Sequence, residues 1–182
     1  MLNKLHIFYS MLAAFLAAAC GGCSSANSTR HIPAVENFEL SKYMGKWYEI
    51  ARLPHSFERN VSHAEAEYTL QDNGKVKVVN RGLRNGQSTS ATGSARFIGP
   101  TDRGELEVCF FYPFYGKYKI IYLEKDYQSA IVTGDNTNYA WILARTSKLP
   151  PEKLIMYLKK LQAWGFATEL MQYPWGVPIF AQ

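Results

Sequence analysis

Cysteine is scarce in this chain: Cys20, Cys23 and Cys109 are the three that its 182 residues contain. Three thiols, two of them close together near the start, exclude a disulfide-stapled scaffold and give no zinc-site spacing. Histidine is scarce too. His31 falls in a polar stretch, and His55 and His63 flank one loop, too isolated to argue for a metal site. The apolar run Leu5 to Leu16 is too short to cross a bilayer as a helix. Charge of one sign is in short supply: 20 Lys and Arg against 15 Asp and Glu leave a formal net charge of +5. That excess is spread along the chain. It argues against nucleic-acid binding and suits no more than a weak attraction to an anionic membrane surface. There are no long internal repeats and no helix-heavy region before residue 150. No Ser–His–Asp or paired-carboxylate arrangement is visible. The expectation is therefore no catalytic residue, no metal ligand and no cofactor.

Aromatic residues are what the chain has in plenty. They make up 14% of it, with 12 Tyr and 10 Phe, which favours strands over a helical bundle. Eight short strands follow one another at about 45–53, 63–71, 75–82, 88–98, 104–111, 117–123, 129–134 and 139–145. Gln71-Asp72-Asn73-Gly74, Asn85-Gly86, Gly99-Pro100 and Gly134-Asp135-Asn136 mark turns between them. Sequential strands with short connections predict an all-β fold: an eight-stranded antiparallel up-and-down barrel, which leaves no sheet edge exposed. Pro150-Pro151 then starts an α-helix through about Ala163, whose stripe of Leu154, Leu158 and Leu161 packs it on the outside of the barrel. A short last strand is expected near 167–172.

Alternation says which side chains point inward. Ala64, Ala66, Tyr68 and Leu70 oppose Glu65, Glu67 and Thr69. Val76 and Val78 oppose Lys75 and Lys77. Leu106, Val108 and Phe110 oppose Glu105, Glu107 and Cys109. The small set Ala91, Gly93 and Ala95, followed by Phe97, leaves room inside, and an eight-stranded barrel is just wide enough to hold one small ligand. Tyr118 and Tyr122 are placed inside. The candidate ligand-binding residues are Ala66, Tyr68, Val78, Ala91, Phe97, Val108, Phe110, Tyr118, Tyr122, Tyr139 and Trp141, with the tyrosine hydroxyls orienting a polar head group. Loops 54–62, 83–87, 111–117 and 134–138 form the mouth. They carry His55, Phe57, Phe111, Phe114 and Tyr115, which either meet a membrane or gate entry, or fold over the barrel as a minor core.

Residues 1–19 read as a targeting segment. Lys4 is followed by the apolar run and then Ala17-Ala18-Ala19-Cys20, which resembles a bacterial lipoprotein signal with Ala17 where leucine is commonest. The resemblance implies acylation of Cys20 as the mature N-terminus. Gly21 after it implies transport to the outer membrane of a Gram-negative cell, at its periplasmic face. Cys23 is a poorer competing site. Residues 20–34, rich in Ser, Asn, Gly and Thr, read as a flexible linker ahead of a domain at 35–182. The fold is expected to do without disulfides.

Gly45-Lys46-Trp47-Tyr48-Glu49-Ile50-Ala51-Arg52 opens the first strand, Lys125-Asp126-Tyr127 precedes the seventh, and Arg145 ends the eighth. Together these resemble the three ordered motifs of the lipocalins, and within them the bacterial outer-membrane lipocalins related to apolipoprotein D. Lys125 departs from the usual Thr. The likeness covers about residues 35–172. In an up-and-down barrel Trp47 and Arg145 lie at one end, where the guanidinium can stack on the indole. Gly45, Trp47, Asp126, Tyr127 and Arg145 are therefore assigned to closing the fold.

The resemblance implies a carrier or store of fatty acids or lysophospholipids, tied to the membrane through its N-terminal lipid, with a second copy of the chain as a candidate partner. Three other readings stand beside it. The side chains only fill the barrel; or the rim serves an envelope partner and the cavity is incidental; or the barrel modifies a lipid, for which Cys109 would have to face the cavity.

Overall fold

The computed structural model describes residues 27–176. The segment 1–19, Cys20, Cys23 and the end of the carboxyl tail lie outside the described residues. Eight strands run in chain order: β1 Gly45–Arg52, β2 Val61–Leu70, β3 Val76–Arg84, β4 Gln87–Phe97, β5 Glu105–Phe111, β6 Phe114–Leu123, β7 Ser129–Thr133 and β8 Ala140–Ala144. Each pairs antiparallel with the next and β8 pairs with β1, so the barrel closes. Period-2 patterning drives this: in β3, Val76 and Val78 are buried while Lys77 is exposed. β6 starts earlier than expected, because Phe114 already pairs with Phe111 across a tight turn at Tyr112-Pro113.

Two apolar clusters result. One fills the lower barrel with Trp47, Tyr68, Val76, Leu106, Ile120, Val132 and Leu143. The other lies outside, where the helix α2 (Pro151–Ala163; α1 is the single turn Leu40–Tyr43) buries Leu154, Tyr157 and Leu161 against Ile121, Ile131, Ile142 and Ala144. Tyr157 rather than Leu158 is central to that contact. Its hydroxyl is 2.6 Å from Ser129 Oγ and donates to Glu124 Oε1 at 2.7 Å.

β-Bulges decide which side chains change face. An inserted residue reverses the alternation beyond it. The β6–β7 register shifts between Ile120 and Tyr122. Ile120 packs inside, Ile121 and Tyr122 face the outer cluster, and Leu123 returns inside. Tyr122 is therefore corrected from cavity residue to outer-wall residue. Its ring lies 5.3 Å from that of Tyr157 and under Lys160 Nζ.

Two further expectations change. Residues 167–172 form a short 3-10 turn at Thr168–Leu170 and a single bridge from Gln172 to Arg52 in place of a strand. Part of the expected linker is packed. Thr29 bonds to Asp135 and Gly134, Ile32 is buried in the outer cluster, and Lys119 Nζ donates to the carbonyls of Thr29 and Ile32. This strap passes from the mouth end to the closed end. It crosses Gly104, where a Cβ would come within 2.7 Å of Val35 and 2.9 Å of Ile120.

Candidate functional site

The closed end of the barrel is a floor of aromatic rings. Trp47 is fully buried, and its Nε1 donates to the Tyr43 carbonyl at 2.8 Å. Arg145 lies outside it, with its guanidinium carbon 4.0 Å from the indole centroid. Its Nη groups donate to the carbonyls of Lys46 and Lys42 at 2.8 Å, and its Nε to that of Tyr127 at 3.3 Å. Tyr127 has φ 58, and its hydroxyl accepts from the Glu39 amide at 2.9 Å. Asp126 fixes the same loop by accepting from the Gln128 amide. Gly45, at φ 91, lets the Arg145 guanidinium pass within 3.5 Å of where a Cβ would stand.

Tyr43, Tyr118 and Tyr68 form one hydrogen-bonded set just above Trp47. The Tyr118 hydroxyl is 2.7 Å from that of Tyr43 and 3.0 Å from that of Tyr68. Burial, followed by neighbouring phenols and carboxylates, keeps all three protonated. Tyr68 is pushed up to about 12, and Tyr43 and Tyr118 are held well above the ordinary phenol value. The hydroxyls of Tyr68 and Tyr118, expected to meet a head group, are thus satisfied by one another and by Tyr43. They build the floor. Phe97 joins it through Phe38, at 6.2 Å between ring centroids.

Above the floor the wall loosens. Val78 is buried, but Ala66, Ala91, Val108, Phe110 and Trp141 keep part of their surface open although they point inward. Asn80 pairs with Ala66 on one side and Ala91 on the other, and its Oδ1 has no hydrogen-bond partner. The room expected at Gly93 is taken up: a Cβ there would stand 2.8 Å from the Phe110 ring. The Cys109 thiol is free and buried and does not belong to the interior cluster.

One part of the interior was not foreseen. Glu49, Arg52, His55 and Glu58 meet inside the mouth. Arg52 Nη1 donates to Glu49 Oε1 at 2.5 Å and lies 3.5 Å from Glu58 Oε2. Arg52 Nη2 donates to the carbonyls of Glu58 and Val61. Trp141 Nε1 donates to Glu58 Oε2 at 3.5 Å. His55 Nε2 stands 3.2 Å from the same oxygen, out of line for a hydrogen bond. Burial, then the Glu58 charge, raises the Glu49 carboxyl well above its usual range. Burial works the same way on Glu58, but contact with His55 and the charge of Arg52 outweigh it and leave Glu58 low. One guanidinium shared by two buried carboxyls drives their titrations apart. Counting by twos from Trp47 puts Glu49 inside. Arg52 follows a bulge between Glu49 and Ala51, and Glu58 arrives on a loop, so no sequence period gathers them.

The mouth residues divide. His55 and Phe57 fold inward, stacked at 3.8 Å, with Trp141 5.1 Å from His55 and Tyr139 6.2 Å from Trp141. The His55 side chain is only 4% exposed. Phe111 and Tyr112 remain exposed on the rim, at 45% and 79%. Two clefts lie outside the barrel, about 510 Å³ along α2 (Ile155, Met156 and Lys159 among its lining) and about 330 Å³ beside Arg145. Both are shallow and strewn with charged side chains, and neither is lined by a residue of the inner wall. Among the described residues no group of His, Cys, Asp and Glu is placed to hold a metal ion.

Residues 38–175 match the family model described as a lipocalin-like domain. The chain is 42% identical over 153 residues to outer membrane lipoprotein Blc of Escherichia coli (strain K12), covering 83% of this chain and 85% of that one. It is 37% identical over 172 residues to outer membrane lipoprotein Blc of Vibrio cholerae, covering 93% and 98%. It is 37% identical over 159 residues to apolipoprotein D of Bos taurus, covering 82% of each. Insecticyanin from the tobacco hornworm Manduca sexta shares the fold, with a TM-score of 0.65 at 22% identity over 82% of this chain and 86% of that one.

Proposed function

The chain belongs to the lipocalin-like family, and on that premise we propose that it binds and carries or stores an amphiphile with an acyl chain, a fatty acid or a lysophospholipid, at the outer membrane of a Gram-negative cell. The observation that carries this reading is the gradient inside the barrel. The floor at Trp47, Tyr43 and Tyr68 is sealed, while the apolar wall above it at Ala66, Ala91, Val108, Phe110 and Trp141 stays partly open. A barrel filled by its own side chains would bury both levels alike. An acyl chain lying along that wall replaces water on apolar surface, which is the main source of affinity in such a site.

The proposed contacts are Ala66, Val78, Ala91, Val108, Phe110 and Trp141 along the wall, Tyr68, Phe97 and Tyr118 at the floor, and Tyr139 at the mouth. Acylation of Cys20 would hold the barrel at the membrane surface. The bacterial relatives are named outer membrane lipoproteins, which supports that location. The exposed Phe111 and Tyr112 suit the rim to touch the surface from which an amphiphile enters. The role is carriage, with no chemical step assigned.

Two substitutions test the wall. Trp141→Ala should weaken binding of a fluorescent fatty acid about tenfold, equivalent to about 1.4 kcal/mol, with the fold retained. Tyr122→Phe, on the outer wall, should leave that affinity unchanged. Equal losses in both, read by displacement titration, would count against an interior site.

A further inference from the structure

Five buried side-chain polar atoms have no hydrogen-bond partner among the described residues, and three of them share one place: Arg52 Nε and both ring nitrogens of His55. The two side chains are 3% and 4% exposed. Buried polar atoms are nearly always paired, and leaving one unpaired costs about 1–3 kcal/mol. Arg Nε–H can only donate, and an imidazole always presents at least one N–H. The missing partner is therefore an acceptor. Two of the nearest acceptors are already engaged. Glu49 Oε1 takes Arg52 Nη1, and Glu58 Oε2 is shared among Arg52 Nη1, Trp141 Nε1 and the misaligned His55.

The position of the gap says what kind of acceptor fits. Arg52 is the register partner of Trp141, so both stand on the inner wall at the mouth, with the partly open apolar wall below them. Phe57 covers the place from above, stacked on His55, and its carbonyl is tied down by Arg84 Nη2 at 2.9 Å. An acceptor-rich group here would sit at the end of an apolar cup.

We propose that Arg52 and His55 form a head-group subsite that takes the anionic end, carboxylate or phosphate, of an amphiphile whose acyl chain lies along the wall beneath. This rests on the carrier reading above and specifies its ligand. The charges nearby allow it. Glu58, buried yet held low by His55 and Arg52, already faces Arg52 at 3.5 Å. Burial, then the Glu58 charge, pushes the Glu49 carboxyl up, which weakens the repulsion it offers an anion. Hydrogen bonds from a guanidinium to an anion are about twice as strong as neutral ones.

The test is displacement titration of the mature chain with oleate, an oleoyl lysophospholipid and oleyl alcohol, which share one acyl length and differ in the head. Either anion should bind at least about tenfold more tightly than the alcohol. Preference for oleate identifies a carboxylate site, and preference for the lysophospholipid a phosphate site. His55→Phe, which keeps the ring stacked on Phe57 and leaves Arg52 in place, should lower the anion-to-alcohol ratio about threefold or more. Carboxyl-labelled oleate bound to the unmodified chain gives an independent readout: its carbon resonance should titrate away from that of the free acid. Should the variant fail to fold, the three-ligand ratio and that resonance decide alone. Equal affinity for alcohol and anions, or a preference left undiminished in folded His55→Phe, overturns the subsite and leaves the carrier reading standing. Binding of none of the three overturns both.

Discussion

Arg145 joins three segments that are far apart in sequence. Its guanidinium covers Trp47 and donates to carbonyls of α1, β1 and the Tyr127 loop. No other residue type offers a planar cation with several fixed donors. Arg145→Ala should lower stability by about 2 kcal/mol, from the lost cation–π contact and carbonyl bonds at a half-open site. Urea unfolding checks this, and a change below about 0.5 kcal/mol would contradict it. Glu49 makes a pH prediction of definite sign. Its folded carboxyl titrates well above the ordinary value of 4.5. The folded state therefore holds a proton that the unfolded chain has already released. The stability Glu49 contributes is full below about pH 4.5 and is lost as pH rises toward its folded value. Glu49→Gln should gain on the unmodified protein as pH rises above about 4.5 when urea midpoints are compared. If the unmodified protein instead gains on the variant as pH rises, Glu49 is ionised and paired to Arg52, and this account of the cluster is wrong.

Regular elements were readable where alternation is unbroken, and misread where a bulge or a strap intervenes. β3 and β4 keep strict period two, so the inward positions of Val76, Val78, Ala91 and Ala95 follow from the sequence alone. In β6 one inserted residue turns Tyr122 outward, and nothing in Tyr118-Lys119-Ile120-Ile121-Tyr122 marks where it sits. The strap from residue 27 resembles a linker because its composition is polar, yet Thr29, Ile32 and Ala34 are buried. Composition averages over a stretch, while packing depends on which few side chains meet the barrel. Tyr43 escaped notice for the same reason: it lies ahead of the alternating region, on a single helical turn. Ile32→Ala should cost about 2–4 kcal/mol as a core truncation. A freely moving linker would lose almost nothing, and thermal or urea unfolding separates the two.

For the whole molecule, closure of eight strands into one barrel divides the interior into a sealed floor and a looser upper wall. Three sequence motifs point to the floor, since Trp47, Tyr127 and Arg145 stand at ends of strands that an up-and-down order brings together. The upper wall is written less plainly. Ala66 and Ala91 announce space, but Phe110 fills the place left by Gly93, and the polar cluster at the mouth gathers residues from a bulge and a loop. The central claim is that this upper space holds one acyl-chain amphiphile. Native mass spectrometry of the chain from residue 24 onward tests it directly, first as purified from cells, then delipidated, then mixed with fatty acids and lysophospholipids. The account predicts one added lipid mass per barrel, lost on delipidation and regained with an anionic amphiphile. A barrel that carries no added mass in any of these states would contradict it and leave the molecule a filled barrel.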